Sequence, residues 1–272
     1  MRYKIDGAEV FLDISGHTVR GENLCLLEKD DNLVSGCSWQ DQGFLVSQMV
    51  GRENFHKLYR GVLALLLEAL NNAGCKIDAG KFKLEHYHNY CPDQQTHLRV
   101  IEFLRSKASI ENLPVNHSVM DEQVSQLCGK TVSCVAVNNS AAGYFFIRLV
   151  RPFPHKDNNP PHKDVWLDRL RHGLNLYFPL AGSDHNSSLS IVPGSHYWPE
   201  SRILQTGPGS RVNGVAFSVP SAVMDDGTLT MTRPVIRETE GMIFSPYLIH
   251  GGAVNFSDKT RVSLEMRFWR LG

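Results

Sequence analysis

The sequence predicts a mainly β domain, a sandwich or barrel, supported by N-terminal helices. From Lys130 onward, short apolar or alternating runs recur between Gly, Pro, Asn and Asp, the texture of successive half-buried strands. Before Lys130, the clearest apolar patterns follow helical spacing instead. No linker is long enough to divide the 272 residues, so the chain reads as one domain, 1–272, with 1–130 as helical or irregular support and 131–272 as the β core. At 42% hydrophobic, a chain of this length buries a substantial core.

In order along the chain, the first 50 residues alternate short apolar runs with Gly, Asp and Asn turns and predict only strands or irregular structure. From Arg52 to Ala73, Phe55, Leu58, Tyr59, Val62, Leu65, Leu66 and Ala69 repeat at helical spacing, and Asn71, Asn72 and Gly74 mark the stop. Shorter helices are expected over Gln94–Ser106 and Asp121–Leu127, the latter with Ser118 as N-cap and Glu122 near the capping-box position. The β runs are TVSCVAVN, GYFFIRLVRP, GLNLYFPLAG, SSLSIVPG, TRPVIRE, GMIFSPYLI and RVSLEMRFW.

Lys plus Arg and Asp plus Glu both number 28, with no long run of one sign, which argues against nucleic acid as the main partner. The N-terminus lacks a signal peptide's apolar segment, and no run is long enough to span a bilayer, so a soluble, cytoplasmic protein is expected. The six cysteines form no CxxC pair and fit reduced, buried thiols.

His-x-Asp occurs twice within a short span, as His155/Asp157 in PFPHKD and His162/Asp164 in NPPHKD. In extended chain, residues two apart face the same way, so either pair can grip one ion. Spacing alone does not choose between them. Downstream, His250 ends a short apolar strand, Gly251 and Gly252 follow, and Arg261 opens the last strand eleven residues after the His. Two imidazoles and one carboxylate on one side of an ion leave three positions open, the ligand set of non-haem Fe(II) oxygen chemistry. An Arg just beyond the last His suits an anionic cosubstrate, because its fork matches a carboxylate.

His-x-Asp, an apolar strand carrying Pro-Leu, SSLSIVPGSH, and SPYLIHGG with its distant Arg stand in an order that resembles the phytanoyl-CoA dioxygenase-type Fe(II)- and 2-oxoglutarate-dependent dioxygenases. The resemblance covers roughly Tyr144 to Trp269; residues 1–130 match nothing in it. It implies a double-stranded β-helix, or jelly-roll, core with Fe(II) on His162, Asp164 and His250, and 2-oxoglutarate and O2 as cosubstrates. The Pro-rich approach NPPHKD and its position before the Pro-Leu strand select the second pair. His155 and Asp157 are then expected to be solvated turn residues.

The resemblance further implies that Arg261 anchors the far carboxylate of 2-oxoglutarate. Asn175 and Arg148 are weighed as contacts to cosubstrate or substrate, and Trp166 as lining the substrate pocket, each against an ordinary structural role. PGSH reads as a turn, with His196 outside the metal site, and His172 and His185 as surface residues. The expected reaction is hydroxylation of a small polar or anionic metabolite, yielding succinate and CO2; Asp164 argues against halogenation, which in the family accompanies a small residue there. The basic residues Arg148, Arg151, Lys156, Lys163, Arg169 and Arg171 hint at an anionic substrate. A zinc hydrolase with the same ligands and a non-catalytic 2-oxoglutarate sensor stay open as alternatives.

Overall fold

The computed structural model describes residues 1–136, 139–224 and 229–271. Its larger sheet is antiparallel and six-stranded. Phe44–Gln48, Glu240–Phe244, Gly173–Ala181 and Arg261–Arg270 lie side by side, and Arg261–Arg270 also pairs with Val132–Ser133 and Phe145–Val150. Alternation along the strands divides the sheet's two faces. Leu174, Leu176, Phe178, Val262, Leu264, Met266 and Phe268 point to one side, into the main core. That side is covered by the helices Arg52–Asn72, Gln94–Ser106 and Ser118–Cys128, whose Leu58, Val62, Leu66, Val100, Leu104, Met120 and Val124 complete the core.

The opposing layer is held by backbone contacts too sparse to make long strands. Arg2–Ile5 pairs in parallel with Leu229–Met231, Thr232 bridges Ile191, Ile191 bridges His250, and His250 bridges His162. The Pro161 carbonyl accepts the N–H of Ala222, and Ala222–Val223 continues through Leu204–Thr206 to Thr18–Arg20. Packed against the larger sheet, this layer closes a curled half-barrel of mixed α+β construction, and Asn175 and Arg267 of the sheet reach across to Asp164 in the smaller layer.

The helix Gln94–Ser106 has the expected bounds, with Asp93 capping the Thr96 N–H at 2.8 Å. The helix Ser118–Cys128 starts at Ser118 instead of being capped by it; the Asn116 side chain accepts the Ser118 N–H at 3.0 Å, and Gly129 ends the helix at φ +65°. Three expected strands are curtailed. SSLSIVPG contributes only the Ile191 bridges, TRPVIRE only Thr232, since Pro234 has no N–H to give, and TVSCVAVN only Val132–Ser133. Val137 and Asn138, at the end of the last of these, lie outside the described residues.

In the first His-x-Asp pair, His155 is a half-buried turn residue, but Asp157 corrects the sequence expectation. The Asp157 side chain is fully buried, not solvated. Its two oxygens take Arg151 Nε and Nη2, both at 2.8 Å, and Arg151 Nη1 reaches the carbonyls of Cys91, Pro92 and Asp93. This ties the loop after Phe145–Val150 to the start of the helix Gln94–Ser106. Burial would raise the Asp157 carboxyl, but Arg151 and His97 outweigh it and hold it below its usual range. His97, 3.6 Å from Asp157 and 3.0 Å from the Tyr87 hydroxyl, is lowered by burial to about 4.

Asp157→Ala leaves Arg151 buried without its partner and is expected to lower folding stability by about 3–5 kcal/mol in chemical denaturation. The unfolded chain protonates His97 near its ordinary value while the folded chain resists until about pH 4. Stability is therefore expected to fall as pH drops through that window, and His97→Phe to flatten the fall in denaturation curves measured from neutral to mildly acidic pH.

Candidate metal centre

The segment before Asp164 is extended through Lys163 and then enters a tight turn, Asp164–Trp166. His162 and His250 exchange backbone hydrogen bonds, N–H to carbonyl at 2.9 and 3.0 Å, so their side chains leave the layer on the same side with ring centroids 4.3 Å apart. Gly251 and Gly252 permit this approach. Both have positive φ, and a Cβ on Gly251 would stand 2.7 Å from the Pro160 carbonyl oxygen. Between His162 and Asp164, Lys163 points away from the centre into a buried ion pair with Glu200, at 2.7 Å.

Each imidazole has one nitrogen committed. His162 Nδ1 lies 2.7 Å from the Pro160 carbonyl oxygen and His250 Nδ1 lies 3.0 Å from that of Leu248. A carbonyl only accepts, so each Nδ1 donates its N–H and each Nε2 is the nitrogen left to meet a cation. Asp164 Oδ1 stands 3.4 Å from His162 Nε2 and 3.9 Å from His250 Nε2. Ligands about 2.1 Å from an ion and at right angles to each other stand about 3.0 Å apart, so small side-chain movements bring the trio onto one ion. All three residues are buried. Burial, reinforced by His162, lowers His250 to about 4, which keeps it neutral and able to ligate at pH 7. Burial would raise Asp164, but Arg267 and the two imidazoles outweigh it and hold the carboxyl well below its usual range.

The larger sheet supplies the rest of the interior. On Arg261–Arg270 the inward positions are Arg261, Ser263, Glu265 and Arg267, opposite in facing to the core residues between them. Asn175, the cross-strand partner of Arg267, donates to Asp164 Oδ2 at 3.0 Å, and Arg267 Nη2 donates to the same oxygen at 3.1 Å. Asn175, weighed in the sequence as a contact to the cosubstrate, gives one amide N–H to Asp164. Arg148 forms a two-point ion pair with Glu265, Nη2 to Oε2 at 3.1 Å and Nε to Oε1 at 3.3 Å, so its fork is already filled. Trp166 donates its indole N–H to Glu200 Oε2 at 2.7 Å and packs on the smaller layer's apolar cluster, which includes Tyr3, Ile5, Val192 and Ile249.

Arg261 is buried, donates Nη1 to the Ser187 carbonyl at 2.9 Å, and pairs with no carboxylate among the described residues. Its Nε and the Ser263 hydroxyl, on the same strand face, have no hydrogen-bond partner among those residues. Orphaned buried donors beside an uncompensated guanidinium form a cradle suited to an anion. Tyr177, Met242, Phe244, Leu189, Ile191 and Leu248 make the adjoining wall apolar, with Phe244 edge-on to His250 at 4.8 Å.

Glu265 and Arg267 carry no sequence signal beyond their even spacing from Arg261. A second group of possible ligands, His117, Asp121 and Cys134, also comes together. It is a closed hydrogen-bond network: Asp121 accepts from Ser133 Oγ, the Cys134 N–H and His117 Nδ1, and burial with Asp121 beside it pushes the Cys134 thiol up, away from thiolate. His196 is buried against the Gln40 carbonyl, His172 reaches the Asp31 carbonyl at the surface, and His185 is exposed beside Asn186.

His162→Ala is expected to abolish high-affinity Mn(II) binding in calorimetric titration, while His155→Ala retains it.

No protein-family model and no curated protein sequence matches the chain. Solved structures do. The non-heme monooxygenase ThoJ matches with a TM-score of 0.50 and 11% identity over 88% of this chain and 77% of that one. EctD from S. alaskensis, solved with 2-oxoglutarate and 5-hydroxyectoine, matches at 0.48 and 14% over 95% and 84%. The non-heme alpha ketoglutarate dependent epimerase SnoN from nogalamycin biosynthesis matches at 0.45 and 13% over 90% and 83%. At these identities the likeness is one of fold alone: this chain shares with ThoJ a jelly-roll architecture of mixed α+β construction, and it carries a buried His-Asp-His triad.

Proposed function

We propose that this chain is an Fe(II)- and 2-oxoglutarate-dependent dioxygenase that hydroxylates a C–H bond of a small polar metabolite, with release of succinate and CO2. The observation that carries the reading is the pairing of two features in one interior. Two imidazole nitrogens and a carboxylate oxygen converge, and in the same interior a buried arginine lacks an anionic partner among the described residues.

His162, Asp164 and His250 would hold the iron, and Arg261 the far carboxylate of the cosubstrate, through the two-point fork that guanidinium and carboxylate share. The Ser263 hydroxyl adds a donor to the same end. Bound Fe(II), with 2-oxoglutarate and O2, supplies the oxidising power that no side chain possesses. The protein's contribution is orientation and dryness. The Nδ1–carbonyl bonds keep both imidazoles aimed, burial keeps His250 neutral, and the apolar wall around Phe244 excludes water from one side.

A zinc hydrolase with the same ligands would need a free general base. Glu265 is the next inward carboxylate beyond Asp164, and Arg148 holds both of its oxygens and lowers it against the effect of burial. That makes it a poor proton acceptor, and the hydrolase reading gives Arg261 no role, so the oxygenase reading is preferred. The substrate's charge also comes into better focus. Of the six basic residues, Arg148, Arg151, Lys163 and Arg171 are paired with carboxylates and Lys156 and Arg169 are exposed, so most of the local basic excess is neutralised.

A metabolite screen read out as stimulated succinate release tests the reaction. Fe(II)-loaded protein that neither binds 2-oxoglutarate nor releases succinate with any metabolite would overturn it. Arg261→Met is expected to weaken 2-oxoglutarate binding about a hundredfold, from loss of a buried charge-assisted pair, while leaving Mn(II) affinity near wild type.

A further inference from the structure

Asp164 is held on one side only. Its Oδ2 accepts Arg267 Nη2 at 3.1 Å, Arg267 Nε at 3.3 Å and the Asn175 amide at 3.0 Å, while Oδ1 is the oxygen nearest both imidazole Nε2 atoms. The donors come from adjacent strands of the larger sheet in direct register, Asn175 opposite Arg267, so their placement is as rigid as the sheet. Arg267 is further steadied over the Phe146 ring, at 5.7 Å to the centroid. A guanidinium is a heavy device for orienting a loop carboxylate that Asn175 already reaches.

Building on the metal-centre reading, we infer that Arg267, assisted by Asn175, is a positioning residue that keeps Asp164 monodentate, with Oδ1 toward the ion and Oδ2 turned away. A carboxylate is free to chelate a divalent cation with both oxygens, and doing so fills an additional coordination position. The triad chemistry needs three positions open. Three hydrogen bonds to Oδ2 occupy the lone pairs that a chelating carboxylate would turn to the ion. The same guanidinium sets a positive charge near the ion and withdraws charge from its ligand, so openness is gained at the expense of metal affinity.

A merely structural Arg267 makes the opposite prediction, since losing a loop tie would loosen the ligand and weaken binding. The test compares wild type, Arg267→Met and Arg267→Lys by Mn(II) titration and by water-proton relaxation of the bound ion, which counts its exchangeable waters. Arg267→Met is expected to bind Mn(II) about tenfold more tightly and to carry about one water fewer, while Arg267→Lys, which keeps the charge, stays near wild-type affinity. Should Arg267→Met fail to fold, Arg267→Gln makes the same comparison. Unchanged or weaker affinity, or an unchanged or larger water count, overturns the inference while the metal-centre reading stands. Wild-type protein that binds no Mn(II) overturns both.

Discussion

The centre depends on one short backbone pairing, the reciprocal hydrogen bonds between His162 and His250. These residues are far apart in sequence and belong to segments too irregular to count as strands, yet their paired peptides fix two imidazoles side by side before any ion arrives. Gly251 makes the pairing sterically possible, because a side chain there would collide with the Pro160 carbonyl. That same carbonyl receives the His162 Nδ1 proton, so one peptide group both sets the backbone approach and selects the tautomer. For His162, backbone geometry and ring orientation thus follow from a single local constraint.

The opposite wall is organised by a different regularity. Along Arg261–Arg270, every second side chain faces inward, and the inward set changes in chemistry from one position to the next. It runs from a guanidinium without a carboxylate partner among the described residues through a hydroxyl and a carboxylate neutralised by Arg148 to a guanidinium bound to Asp164. The intervening residues build the main core against the helices. One strand therefore couples stability to function. Its apolar face is anchored by the helical layer, and that anchoring keeps the polar face rigid enough to orient a buried carboxylate.

Much of this is legible in the sequence, and the failures have physical causes. Helical periodicity locates Gln94–Ser106 at its observed bounds because a long amphipathic stretch carries a redundant signal. Runs such as SSLSIVPG and TRPVIRE look like strands because their composition favours extended chain, but a layer held by isolated bridges satisfies that preference without ladders. The N-terminal strand Arg2–Ile5 completes the smaller layer by pairing with Leu229–Met231, a contact across most of the chain that no local pattern announces. Among site residues, motif order singles out His162, Asp164 and His250, which the fold brings together, and Arg261, which it buries. Asn175 stands out in the sequence, but its hydrogen bond to Asp164 is not announced by any local pattern. Arg267 does not stand out at all, since a lone arginine in a terminal strand looks like a surface residue until its cross-strand neighbour is known. The buried Arg151–Asp157 pair defeats the sequence for the same reason: Pro-rich context suggests a solvated turn, and only the fold brings the carbonyls of Cys91, Pro92 and Asp93 around the guanidinium.

The central claim is that three side chains from two bridged segments bind one divalent cation. A crystal structure grown anaerobically with Mn(II), with the ion located by its anomalous scattering, tests it most directly. The account predicts a single strong site about 2.0–2.3 Å from His162 Nε2, His250 Nε2 and Asp164 Oδ1. An ion seated instead among His117, Asp121 and Cys134, or no ordered ion in the interior at all, would contradict it.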